Sequence, residues 1–158
     1  MSDVRLSVFD YGGDILIENG DLVSDPGLFT PVLISLFTDN RAPLDVELPA
    51  GANSRRGWWH NTNEESVGSL LWLINREKAT NEVAARAEDY ASDALLWLLD
   101  LGIASEVLTE GTIVSSSLQL LIKIRRGPAK EYAYLWEGIK LSEKYAFGNT
   151  SIQLIFEE

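Results

Sequence analysis

The stretch "TNEVAARAEDYASDALLWLLDLG", residues 80–102, narrows most what this chain can fold into. Val83, Ala87, Tyr90, Ala91, Ala94, Leu95, Leu98 and Leu101 recur at helical intervals and form one apolar stripe. Thr80 or Asn81 can accept from the free N–H groups of the first turn, and Gly102 suits the C′ position. The spacing predicts one helix from 80 to 102. Small residues at 84, 85, 87, 91 and 94 would let another helix or a sheet approach its surface closely.

The chain on either side has a different period. In "SLQLLIKIRRG", Leu118, Leu120, Ile122 and Ile124 alternate with Gln119, Lys123 and Arg125. Ile152, Leu154 and Phe156 repeat this in "SIQLIF", so two strands with one apolar face each are expected. Near the start, Val4, Leu6 and Val8 alternate with Asp3, Arg5 and Ser7. Asn19-Gly20 then separates two short apolar runs, the strongest local signal for a tight hairpin.

Leu28, Phe29, Val32, Leu33, Leu36 and Phe37 return to helical spacing, with Asp25 as a cap and Pro26 in the first turn. Pro31 must lie early in that helix or shift its start. Residues 39–53 read as an extended connector in which Leu44, Val46 and Leu48 alternate. Leu70 to Ile74 reads as a short apolar helix, and "GPAKEYAYLWEGIK" as aromatic and ambiguous. Strands, helices and strands again give an α+β class: a small, mostly antiparallel sheet with an N-terminal hairpin and about three helices packed on it. The 158 residues suit one domain, 1–158.

Composition excludes several functions. With no cysteine, thiol catalysis, disulfides and thiolate metal sites are absent, and one histidine cannot build a histidine-rich metal centre. Net charge is −11, and residues 1–53 hold nine acids against two arginines. That balance opposes nucleic-acid binding, which requires basic surface. It is compatible with a solubility surface or with steering a basic partner. No apolar run approaches the roughly 20 residues of a membrane span. The start has no signal-peptide pattern, so the chain is expected to stay where it folds, and the Asn149 sequon is read as accidental. Phosphate-loop, dinucleotide, nucleophile-elbow, zinc-protease and EF-hand patterns are all missing. No cofactor and no small-molecule ligand are expected.

Two features remain. Glu64-Glu65 lies beside aromatic residues, and two acids about 5–10 Å apart are what a glycosidase needs. Adjacent glutamates ahead of an apolar helix are also ordinary helix-start charges. The second feature is "SRRGWWHN", residues 54–61. Tryptophan and arginine are enriched at interface hot spots. Arg55 and Arg56 can stack on rings or pair with carboxylates of the acidic front half. In extended backbone Trp58 and Trp59 would point to opposite faces, one into the core and one outward. His60 reads as a polar rim residue. A loop packed on itself is the alternative. The terminal strands "VRLSVF" and "SIQLIF" are candidate edges for strand exchange with a partner, guarded by Glu157-Glu158.

Taken in order, "LFTPVLISLFTDNRA", Arg55-Arg56-Gly57-Trp58-Trp59, Leu71 to Lys78 ("LWLINREK") and "YLWEG" make the chain similar to the phage Mu gene-product-forty-six family of tail baseplate proteins. The resemblance covers roughly residues 4–138. It implies a structural, non-enzymatic subunit of a contractile-tail baseplate, in the wedge around the central spike. Its location would be the virion tail, after assembly in the host cytoplasm. Partners would be other wedge subunits and the spike or hub, with sheath initiation as a second role; no nucleic acid or membrane is involved. Candidate partner-binding residues are Arg55, Arg56, Trp58, Trp59, His60 and Trp136. A wedge subunit of other contractile phages carries an old lysozyme-like label, so the competing reading is a peptidoglycan-cleaving tail enzyme using Glu64 or Glu65. A third is a free cytosolic adaptor that binds a basic partner through residues 1–53. No Glu-Pro-Arg sequence, the signature of that wedge relative, occurs here.

Overall fold

Alternation in the first 25 residues produces three short antiparallel pairings. The computed structural model describes residues 3–9, 12–25, 27–62, 65–137, 142–147 and 150–158. Within them β1 (Asp3–Val4), β2 (Leu6–Phe9), β3 (Gly12–Ile15), β4 (Ile17–Glu18), β5 (Asp21–Leu22) and β6 (Ser24–Asp25) pair as β1–β6, β2–β3 and β4–β5. Arg5, Leu16 and Val23 exchange backbone hydrogen bonds where these pairs meet. The expected hairpin is present: Asn19 and Gly20 both take positive φ, 52° and 83°, between β4 and β5.

The first helix, α1 (Phe29–Phe37), buries Leu28, Phe29, Val32, Leu33 and Leu36, with Phe37 packed beside them. Its cap comes from upstream. Asp25 is fully buried, and its carboxylate accepts from the backbone N–H groups of Gly27 and Thr30. Charge at that position complements the helix N-terminus as well as its free donors. Pro31 is the third residue of α1, where its missing N–H costs no helical bond; Pro26 lies outside the described residues. The Thr30 hydroxyl donates to Val4 O (2.9 Å), tying the helix to β1.

The alternation of Leu44, Val46 and Leu48 does not make a strand. Residues 43–52 turn twice, through Val46 N to Pro43 O (3.2 Å) and Ala52 N to Pro49 O (3.0 Å), and Leu44 is exposed. Val46 and Leu48 pack instead on a small satellite core of Ala42, Trp72 and Leu73. The short apolar helix is there as a single 3-10 turn, Leu71–Leu73, with Leu71 to Ile74 all buried.

Two helices replace the one expected over 80–102. α2 (Asn81–Ala94) is capped by the Thr80 hydroxyl, which accepts from Val83 N (3.3 Å), and α3 (Leu96–Asp100) follows a break at Leu95. Leu95 and Leu98 are fully buried, whereas Leu101, assigned to the inner stripe, is exposed along with Leu96 and Leu99. "LLWLLDL" is apolar on every side, so periodicity alone does not say which leucines turn inward.

A four-stranded sheet carries α2. It is built from β7 (Ala104–Val114), β8 (Ser117–Arg126), β9 (Ser142–Phe147) and β10 (Thr150–Glu157), in the order β7-β8-β10-β9. Leu118, Leu120, Ile122 and Ile124 of β8 are all buried. They lie in register with Thr150, Ile152, Leu154 and Phe156 of β10. That central pairing is parallel, while β7–β8 and β10–β9 are antiparallel. Each large side chain so buried contributes about 1.5–3 kcal/mol relative to exposure. Of the small residues of α2, Ala84 serves the close approach, since a Cβ placed on Gly111 of β7 would lie 3.0 Å from Ala84 O and 3.2 Å from Ala84 Cβ, whereas Ala85 is exposed. Helix and strand therefore meet almost backbone to backbone.

The class is α+β. One detail corrects the expectation of terminal edge strands: β10 is central, flanked by β8 and β9, so it offers no free edge. Its Ile152, Leu154 and Phe156 side chains are buried on one face, while Ser151 on the other is exposed. Nor do Glu157 and Glu158 guard one; they pair with Arg125 (3.3 Å) and Arg126 (3.5 Å) of β8. Under the sheet, Phe29, Tyr145, Phe156 and Trp136 form an aromatic cluster with ring centroids 5.9–6.4 Å apart.

Candidate functional site

Residues 54–61 form a loop whose two arginines point back into the protein and whose aromatics point out. Arg55 closes the preceding turn: its guanidinium donates to the carbonyls of Pro43, Val46 (3.0 Å) and Leu44 (3.2 Å), and Ala42 N donates to Arg55 O (2.9 Å). Arg56 lies over the Trp72 ring, 4.5 Å from its centroid, and pairs with Asp39 at 2.7 Å. The Arg56–Asp39 pair is half-exposed and contributes at most about 1 kcal/mol, while the Trp72 ring under the guanidinium is buried. The value of the two contacts is directional: the flat guanidinium is fixed between a ring and a carboxylate. The expected pairing with the acidic front half is thus met by one residue, Asp39.

The backbone at this point is constrained. Arg56 has φ 53° and Gly57 φ 108°. A Cβ on Gly57 would come within 2.9 Å of Arg41 Cβ, so no larger residue fits without displacing that chain segment. Beyond it, Asn61 N donates to Trp58 O (3.1 Å) and closes a turn. The Asn61 side chain then acts as a two-point brace, accepting from Val67 N (3.0 Å) and donating to Val67 O (3.0 Å). It also reaches Asn40 Oδ1 (3.2 Å), which accepts from the Ser66 hydroxyl (2.9 Å) as well. The Trp72 indole N–H donates to Asn40 O (2.8 Å), so the same residue joins loop and satellite core.

On this braced base Trp58, Trp59 and His60 make one exposed aromatic cluster. Trp58 is 41% exposed and Trp59 85%. The tryptophan rings are 5.8 Å apart, and His60 lies 5.2 Å from each. This corrects the expectation of one buried and one exposed tryptophan. The dipeptide sits in a turn and not in extended backbone, so the two rings are not forced to opposite faces. The indole that fills the core beneath them is Trp72.

Trp136 is not part of this surface. It is 7% exposed, packs edge-on against Phe156 and donates to Ile103 O (3.2 Å). Its place in an aromatic, ambiguous segment hid the 3-10 helix Lys130–Trp136 that turns it inward. Sequence reasoning missed Asn40, Asn61 and Trp72. Their roles depend on contacts across 6 to 32 positions, for which the local pattern has no signal.

Glu64 lies outside the described residues, and Glu65 is an exposed turn residue whose backbone is paired with Thr62. It does not start a helix, since the first helical turn after it begins at Leu71. Among the described residues no group of three or more histidine, cysteine, aspartate or glutamate side chains is placed to hold a metal ion.

The loop holds a cluster of exposed aromatic rings on a braced base, and it lies inside the span that a known family matches. The family described as Phage protein GP46 matches residues 28–131. The chain is 43% identical over 108 residues to "Baseplate protein gp46" of Escherichia phage Mu, covering 68% of this chain and 74% of that protein. It is 35% identical over 124 residues to "Mu-like prophage FluMu protein gp46" of Haemophilus influenzae (strain ATCC 51907 / DSM 11121 / KW20 / Rd), covering 77% and 82%. With all three α-helices, the braced aromatic loop and two strands of the four-stranded sheet inside the matched span, this chain belongs to the phage protein GP46 family.

Proposed function

We propose that the protein is a structural subunit of a phage tail baseplate, one domain over residues 1–158, that joins neighbouring subunits through Trp58, Trp59 and His60. Family membership and the name of the Mu relative support the baseplate role. The observation that carries the contact is an 85%-exposed tryptophan held on a cross-braced loop. A soluble domain gains nothing from exposing such a ring alone, whereas a preordered aromatic anchor binds with little entropy cost. Arg55 and Arg56 act from beneath as the support of that anchor.

Finer parts of the reading are a place in the wedge around the central spike of a contractile tail, partners among wedge, spike or hub proteins, and a part in starting the sheath. Assembly would take place in the host cytoplasm, with the virion tail as the final location. The role is not enzymatic; a zymogram on peptidoglycan should stay blank with the purified protein, and clearing that vanishes on Glu65→Gln would reverse this.

Co-expression with the other baseplate proteins, followed by pull-down, tests the contact. Trp59→Ala should keep the wild-type circular dichroism spectrum and melting temperature while retention of partners falls at least tenfold. Arg56→Ala should lose retention together with some stability. Unchanged retention in both variants removes the assignment.

A further inference from the structure

A second surface lies between α1 and the α2–α3 pair, closed at one end by residues 65–70. It is an open groove of about 750 Å³. Ile34 of α1 and Leu96 of α3 face it while 39% and 46% exposed, and Leu70 and Trp97 line it too. The Trp97 indole N–H already donates to Ser35 Oγ (3.0 Å), so the ring is fixed with its polar atom satisfied. Leu99 of α3 is also exposed, extending the apolar surface past the groove.

The charge of the groove is one-sided. Glu65, Asp93 and Asp100 line it, and no lysine or arginine does. Among the described residues none of these three carboxylates forms a salt bridge. An apolar surface edged by unpaired carboxylates complements a segment with an apolar stripe and flanking cations.

The walls also restrict the backbone of the occupant. Three of them are helices, which present side chains and not a sheet edge. In the loop wall Ser69 N donates to Thr38 O (2.8 Å), Asn40 N to Ser69 O (2.9 Å) and Val67 N to Asn61 Oδ1 (3.0 Å). None of the named strands lines the groove, so it offers no sheet edge, which favours a bound segment that satisfies its own backbone, as a helix does.

We propose that this groove receives one basic amphipathic helix from a different baseplate protein. Apolar residues at i, i+3 or i+4 would lie on Ile34, Leu96 and Trp97, with lysine or arginine reaching Glu65, Asp93 and Asp100. The proposal rests on the baseplate reading for the source of the helix but does not use the Trp58–His60 surface.

A photo-crosslinking amino acid at position 96 of the full chain, co-expressed with the other baseplate proteins of its particle, tests this. The expected crosslink maps by mass spectrometry to one segment of another protein, with helical apolar spacing and flanking lysine or arginine. Its yield should fall at least tenfold with Asp93→Lys plus Asp100→Lys and about threefold with the milder Asp93→Asn plus Asp100→Asn. Both positions are exposed, and circular dichroism checks that the fold is kept. A crosslink to a second copy of this chain, to an acidic or aperiodic segment, or to nothing while the baseplate still assembles overturns the proposal and leaves the baseplate reading standing. If the unmodified chain joins no baseplate protein, both fall.

Discussion

Arg55 and Arg56 show how adjacent residues of one type take different work. One saturates three carbonyls of a turn; the other is held between a carboxylate and an indole. Both brace the base of the aromatic turn. Tyr145 is a second residue whose surroundings set its behaviour. Burial beside Phe29 and Phe37, and then the nearby Glu143 carboxylate, push its phenol well above the ordinary tyrosine value. A folded-state pKa above the unfolded one means that the native protein holds the proton when the unfolded chain releases it. The associated stability is complete below about pH 10, the unfolded value, and is lost as pH rises above it. Urea titrations between pH 8 and 11 should show stability falling above pH 10, and Tyr145→Phe should flatten that fall. An equal fall in the variant would place its cause elsewhere.

At the scale of elements, α2 and β7 fit closely. Gly111 and Ala84 leave no room between them, and the Glu88 side chain accepts from Gly111 N (2.6 Å) at the same crossing. Gly111→Val would drive a branched side chain into the Ala84 backbone. It should cost about 2 kcal/mol, within the usual range for overpacking, read as a lower urea midpoint with an unchanged m-value. Much of this level could be read in advance. The apolar stripe of α1, the Thr80 cap, the Asn19-Gly20 hairpin and the inward faces of β8 and β10 all follow from local period and turn chemistry. The β7–β8 hairpin did not announce itself, because its two-residue turn uses Ser115 and Ser116 at φ 50° and 68°. Serine there has none of the preference that marks Asn-Gly. The break at Leu95 was hidden for a different reason, since an all-round apolar run has no phase to lose.

For the whole molecule, the long-range pairing was the part local patterns could not supply. Strands β8 and β10 are 23 residues apart, and each shows the same alternation whether it is central or at an edge. Only the sheet order reveals that β10 is enclosed and that Trp136 belongs to the core. The candidate surface was legible as a composition of arginine and tryptophan, but its outward direction depended on the turn at Trp58 and on braces from Asn40 and Asn61. Two separate surfaces result, an aromatic turn and an acidic-edged groove, which suits a subunit with neighbours on more than one side. A cryo-EM reconstruction of the tail tip of the particle that carries this chain tests the central claim most directly. The account predicts density for this chain within the baseplate, with the Trp58–His60 turn buried against another subunit. Tails that are complete but contain no copy of this chain would contradict it.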